Sequence, residues 1–281
     1  MRKLIINADD LGYGSEVNRE IEDCIKKGVI TSCTLIANAP GFDDGVRIAK
    51  RYSQISVGVH LNLVEFAPLT NLKVFKKHNI VDADGNFLDG AIFVVPIDEE
   101  LKQAVYEEWD AQVAKILAVG IVPTHVDSHQ HTHTIVTLQD VLCKVLDKYQ
   151  IKRVRCKSIP SIREMLFGGK KISVKLDKSK SVKAKKRNVL YRRTHLFVVK
   201  FQNYSWNRKM RKRYQMAYAY YALRSFYTDR NLLRLGGRSS VIELMCHPGQ
   251  PPFHNETAVL MQLRSWLPHN YTLTNYAQLS K

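Results

Sequence analysis

The chain has 281 residues, 45% of them hydrophobic, and a formal net charge of +17. That length suits one α/β barrel and that apolar fraction a sizeable core, while no stretch is long and apolar enough to cross a bilayer. The five cysteines, Cys24, Cys33, Cys143, Cys156 and Cys246, are odd in number and form no CxxC pair, which excludes a disulfide framework and leads us to expect reduced thiols in a cytoplasmic protein.

Strand and helix signals alternate along the chain. Residues 4–6 are a short apolar run that reads as a buried strand. The carboxylates of Asp9 and Asp10 fall where an export signal needs its apolar core, so no such signal is expected. Residues 16–27 space Val17, Ile21 and Cys24 as a helix does. A second strand is expected over 33–36, a helix over 41–51 and a third strand over 55–61. Residues 62–97 show no clear period, and a long connection of this kind is expected to be a substrate loop. The clearest helix covers 98–118, with Asp98 placed to cap it and Leu101, Val105, Trp109, Val113 and Ile116 in one stripe. A strand over 122–127, a helix over 138–148, a fifth strand over 152–156 and a late strand over 240–246 complete the alternation. Repeated βα units imply a parallel sheet.

The reactive residues fall at one end of these units. Asp9 and Asp10 follow the first strand, Asn38 follows the second, His60 ends the third and His129 follows the fourth. Arg153 or Arg155 lies in the fifth, and His247 follows the last. A barrel gathers its site at the C-terminal ends of its strands. Contributions from nearly every strand favour a closed or nearly closed barrel over an open sheet, which would use only its switch point. The expected fold is therefore α/β, a distorted TIM-like (β/α) barrel forming a single domain over 1–281.

The densest signal is the run 123–133, which holds His125, Asp127, His129, His131 and His133 at strict period two. Imidazole and carboxylate are ordinary ligands of divalent first-row metals. On a strand, alternate side chains share one face, so 125, 127, 129 and 131 are all candidates, and spacing alone does not choose among them. Adjacent carboxylates at 9 and 10 can divide labour, one binding a metal and the other acting as base.

Five segments together resemble the YdjC-like carbohydrate deacetylase family: Asn-Ala-Asp-Asp-Leu-Gly at 7–12, Gly-Val-Ile-Thr-Ser at 28–32, Gly-Val-His-Leu-Asn-Leu at 58–63, Pro-Thr-His-Val-Asp-Ser-His-Gln-His at 123–131 and Glu-Leu-Met-Cys-His-Pro-Gly at 243–249. The resemblance implies a distorted TIM-like barrel that removes acetyl from an N-acetylated sugar, an oligosaccharide or a glycolipid. It implies a divalent metal, zinc or magnesium or another first-row ion, held by Asp10, His60 and His129. It makes Asp9 the catalytic base and His247 the acid. His125, Asp127, His131, Asn38, Asn62 and Arg153 are expected to orient the ligands or to meet substrate. Two readings stay open beside it: another barrel metallohydrolase, such as a phosphoesterase or a non-sugar amidase, and a non-enzymatic metal- or membrane-binding module.

The charge is concentrated. Residues 152–213 carry 22 Lys and Arg against Glu164 and Asp177, so the rest of the chain is close to neutral. We read 164–214 as a basic insertion in the barrel, with Tyr191, Phe197, Phe201, Tyr204, Trp206 and Tyr214 among the cations. It is expected either to be a solvated excursion or to meet an anionic surface or substrate, such as phospholipid headgroups or a phosphate-linked glycolipid. The second alternative adds a peripheral contact with the inner membrane surface to the cytoplasmic expectation. Nucleic acid would suit the charge, but no nucleic-acid motif accompanies it. The oligomeric state is not legible.

Overall fold

The computed structural model describes residues 2–157, 189–224, 240–253 and 255–280, with the side chains of 189–198 and 200 outside that description. The central strand β1 runs Arg2–Leu11, and its last eight residues are all buried. A strand covered on both faces reads as an apolar run rather than an alternation, which is why Leu4, Ile5 and Ile6 stand together. Around it lie β2 (Ser32–Leu35), β3 (Ser56–Leu61), β4 (Val126–Ser128), β5 (Ala219–Ala222), β6 (Val241–Cys246) and β7 (Tyr271–Thr274). Their order is β4-β3-β2-β1-β6-β5, and every pairing is parallel. β7 pairs with the N-terminal half of β1, below β2 on the same edge.

The sheet curls, consistent with a distorted barrel. Isolated parallel bridges carry the pairing on from β4, Val126 to Val154 and Arg153 to Gln215, and so reach the chain leading into β5. The strand expected over 152–156 is reduced to these bridges. Gln215 exchanges backbone hydrogen bonds with Lys152 and Val154, on either side of Arg153. The strand expected over 122–127 begins only at Val126, because Val122 is exposed and gains nothing from the sheet. β5 and β7 had no expectation.

Helices α1 (Ser15–Lys26), α2 (Phe42–Arg51), α4 (Glu99–Ala118) and α5 (Gln139–Lys148) fall where the periodicity placed them. In α4 the whole stripe of Leu101, Val105, Trp109, Val113 and Ile116 is inaccessible to solvent. Asp98 caps it, accepting from the Leu101 amide at 2.9 Å. The 62–97 connection is not formless: it holds a short helix α3 (Leu72–Lys77) and buries Leu63, Phe75, Ile80, Phe87 and Ile92. Of the basic insertion, residues 164–188 lie outside the described residues. The remainder forms a helix α6 (Val189–Arg211), whose Trp206 and Met210 join the core. All five cysteines are free and buried. No described helix is long and apolar enough to cross a membrane.

Candidate active site

A local irregularity makes the site. The register of β1 against β2 shifts between Ala8 and Leu11, and Asp10 takes φ +68 in the left-handed region. On a regular strand, neighbours point to opposite faces. The shift and the left-handed residue bring both carboxylates within reach of His60, on one side of the sheet. The following turn needs Gly12, at φ +89, where a Cβ would stand 2.9 Å from Leu35 Cδ1.

Asp10 faces two imidazoles. Its Oδ1 is 3.2 Å from His60 Nε2 and 2.8 Å from His129 Nδ1. Its Oδ2 accepts from the Gln250 amide at 2.9 Å. Asp10, His60 and His129 each offer a donor atom within 4.8 Å of the others. Behind His60, Nδ1 lies 2.6 Å from Asp127 Oδ1, and Thr34 donates to the other Asp127 oxygen at 3.1 Å.

Asp9 faces a guanidinium instead. Arg155 is fully buried and donates to both Asp9 oxygens, at 2.7 and 2.6 Å. The same guanidinium meets Asp127 at 2.8 Å and Glu243 at 2.7 Å, and the Tyr276 hydroxyl donates to Glu243. Burial alone would raise the Asp9 pKa. The charge and hydrogen bonds of Arg155 outweigh it and hold the carboxyl well below the usual range. One cation thus serves three buried carboxylates, which is stable only because each is also hydrogen-bonded.

Across from Asp9 stands His247, Nε2 to Oδ2 4.0 Å. Its ring stacks on Phe253 at 4.2 Å, and its Nδ1 is 3.5 Å from Glu256 Oε2. Burial works against the imidazolium. Glu256, Asp9 and Asp10 together reverse that and raise the His247 pKa.

The period-two cluster does not all reach Asp10. β4 covers only Val126–Ser128, and the chain then turns through Gln130 and His131, both left-handed. Asp127 and His129 reach the Asp10 cluster, and the left-handed residues that follow His129 carry His131 away from it. His125 lies beneath: it stacks on Tyr276 at 3.7 Å, and its Nε2 is 3.2 Å from Asn7 Oδ1. Gly58 leaves the room for it, since a Cβ there would lie 2.6 Å from the His125 ring. His131 packs on Tyr220, and burial followed by the charge of Arg155 depresses its pKa to about 3, so it is neutral. Asn38 and Asn62 shape the loop after β3. Asn62 donates to Asn38 Oδ1 and to the Glu65 carbonyl, and Asn38 to the Ala67 carbonyl.

Arg153 is a correction. Its guanidinium donates to the carbonyls of Leu279 and Ala277, away from the cluster, and Arg155 occupies the place expected for it. As residues i and i+2 of an extended segment the two share a face, but Arg153 lies one layer nearer the N-terminal ends of the strands, where the 276–279 turn is tied to Ser32 and Ser56 and takes its guanidinium. Sequence reasoning also missed Glu243, Gln250, Glu256, Thr34 and Glu65. Only Glu243 carried a signal, as a lone charge inside an apolar strand.

With this geometry in hand, the comparisons with known proteins are specific. The family model described as YdjC-like protein matches residues 3–270. A carbohydrate deacetylase of Brevibacillus brevis is 33% identical over 150 residues, covering 53% of this chain and 57% of the relative. One from Clostridium beijerinckii is 35% identical over 162 residues, covering 56% and 61%. The matches thus span less than two thirds of these relatives. A solved Enterococcus faecalis structure, provisionally described as a cellobiose-phosphate cleavage protein, aligns over 100% of this chain and 99% of its own with a TM-score of 0.69 at 23% identity, a likeness of fold. The chain belongs to the YdjC-like family.

Proposed function

We propose that this chain is a metal-dependent hydrolase that removes acetyl from an N-acetylated sugar. The observation that carries the reading is the division of adjacent carboxylates. Asp9 is bound to a permanent cation, Asp10 is turned to two imidazoles, and a histidine of raised pKa stands opposite Asp9. The carbohydrate deacetylases among the relatives support the substrate class.

The donor set suits a divalent ion. A carboxylate oxygen and two imidazole nitrogens converge with no permanent cation among them, and two-histidine, one-carboxylate sets are ordinary for first-row metals. Asp9, His60 and Asp127 also lie close enough to hold an ion, but Arg155 already donates to both Asp9 oxygens and meets one of Asp127, so fewer lone pairs there are free for a metal. An ion on Asp10, His60 and His129 would polarise the acetamide carbonyl and acidify the attacking water. Asp127 fixes the His60 ring through Nδ1, leaving Nε2 toward Asp10. Gln250 fixes the Asp10 carboxylate by its second oxygen.

Asp9 accepts the proton of the attacking water as its oxygen bonds to the carbonyl carbon. Arg155 makes Asp9 a weak base but keeps it ionised and fixed, so transfer to it requires a water already acidified. His247, protonated on Nε2, donates to the sugar nitrogen as the carbon–nitrogen bond breaks. The products are acetate and a free amine.

Acetate release from a panel of acetylated glycans and glycolipids tests this, with metal removed by a chelator and then restored. Release that depends on restored metal is expected. No release from any member, with hydrolysis of phosphate esters instead, would replace this reading by the phosphoesterase one.

We extend the reading to a substrate or surface bearing an anionic group, such as a phosphate-linked glycolipid. A pocket of about 540 Å³ lies where α6 meets β5, lined by Lys157, Arg208, Arg211, Lys212 and four tyrosines, with no carboxylate among its lining residues. Arg211 is spent on the carbonyls of Met216, Ala217 and Tyr218. Arg208 and Lys212 have no ion pair among the described residues and remain to meet an anion. Tyr220 joins this pocket to the site, since its ring lies 5.7 Å from the Arg155 guanidinium.

A further inference from the structure

The two imidazoles that face Asp10 differ on their far sides. His60 has Asp127 behind it, buried and at hydrogen-bond distance. His129 presents Nδ1 to Asp10, and its Nε2 lies 3.6 Å from Oε2 of Glu65. That Glu65 oxygen is shielded from solvent and has no hydrogen-bond partner among the described residues. The Tyr13 phenol lies against the same carboxylate. Burial, then its hydrogen bond to Glu65 and the charge of Glu65, push the phenol pKa well above its ordinary value.

The loop that carries Glu65 is held at several points. The Asn62 side chain accepts from the amides of Val64 and Glu65 and donates to the Glu65 carbonyl. Phe66 takes φ +64 and sets its ring edge-on to Tyr13 at 5.0 Å. Further on, buried Glu108 accepts from the amides of Leu69 and Thr70. A loop tied down this closely, with a bare carboxylate oxygen beside an imidazole nitrogen, invites a role for that oxygen.

We propose that Glu65 is a positioning residue for His129, the loop-borne counterpart of Asp127 behind His60. Its charge favours the tautomer with the proton on Nε2, which leaves the Nδ1 lone pair toward Asp10. At 3.6 Å the contact is electrostatic and not a formed hydrogen bond; the Glu65 side chain is 34% exposed, but the oxygen facing His129 is shielded from solvent. A carboxylate behind a ligating histidine fixes its ring and raises its basicity. The inference rests on the reading of Asp10, His60 and His129 as metal ligands. It adds that the loop after β3 helps to set metal affinity.

The test is the zinc affinity of the full chain, measured by competition with a chromophoric chelator for the parent, Glu65→Gln, Glu65→Ala and His129→Ala. Glu65→Gln should bind zinc about 10–100-fold more weakly, the usual effect of losing such a partner, and Glu65→Ala at least as weakly. At saturating zinc, acetate release by Glu65→Gln should return close to the parent rate, because Glu65 acts through His129 and not on substrate. Three results would overturn the proposal: unchanged zinc affinity in Glu65→Gln, a rate defect that persists at saturating zinc, or an affinity loss matched by a fall in the metal-free thermal midpoint. If His129→Ala binds zinc as the parent does, the ligand assignment itself falls, and the role of Glu65 with it.

Discussion

The Asp9 side and the Asp10 side of the site are built from neighbouring residues of one kind, and their surroundings are opposite. Asp9 lies on a buried guanidinium shared with Asp127 and Glu243. Asp10 meets two imidazoles and an amide, with no permanent cation in contact with it. Both carboxyl groups are held ionised, Asp10 against burial by His129 and His60, and Asp9 against burial by Arg155. Arg155 takes up both oxygens of Asp9, while Asp10 stands among imidazole nitrogens of the kind a metal site uses. On the proposed reading, the partners supplied by the neighbouring strands, not the aspartates themselves, decide which carboxylate is ligand and which is proton acceptor.

That contrast can be broken one group at a time. Asp9→Asn removes the proposed acceptor and should lower kcat for acetate release by about 10²–10⁴, the usual cost of losing a general base. Arg155→Met removes the shared cation and strands buried charge. Urea denaturation should show a loss of about 3–5 kcal/mol, softened by proton uptake at Glu243, whose pKa burial already raises.

The acid on the far side of Asp9 gives a pH signature. On the proposed reading His247 works protonated, so the rate is expected below its pKa and should fall as pH rises through it. Glu256 helps to raise that pKa. Glu256→Gln should therefore move the descending limb of the kcat/KM profile to lower pH, and an unmoved limb would separate His247 from that limb. The smallest effect belongs to the distant pocket. Arg208→Glu combined with Lys212→Glu should weaken binding to anionic vesicles by roughly tenfold or more at low salt, with the difference shrinking as salt rises. Equal, weak binding of both proteins would make the basic segment a solvated excursion.

Much of this was legible in the sequence. The α/β alternation and the gathering of Asp9, Asp10, His60, His129 and His247 at one end of the strands follow from strand-end placement. Sequence gave no means of choosing His129 over His131, because the choice is made by a turn. Two left-handed residues after Ser128 swing the chain off the strand, and period-two reasoning holds only while the strand lasts. Arg153 and Arg155 were equivalent on paper. Both share one face of the extended segment, and which one reaches Asp9 depends on height along it: the carbonyls of Ala277 and Leu279 take Arg153 one layer below. Glu256 and Glu65 act through distances that no local pattern encodes. The basic segment was legible as charge but not as structure. Part of it, Trp206 and Met210, is core, because an interleaved aromatic can face inward as readily as outward.

The division between the two aspartates is tested most directly by metal stoichiometry. Purified Asp9→Asn and Asp10→Asn should be dialysed against a modest excess of zinc, and bound metal measured by elemental analysis. The account predicts about one ion per chain in the parent and in Asp9→Asn, and little or none in Asp10→Asn. An ion retained by Asp10→Asn and lost by Asp9→Asn would place the metal on Asp9, His60 and Asp127, and would contradict it.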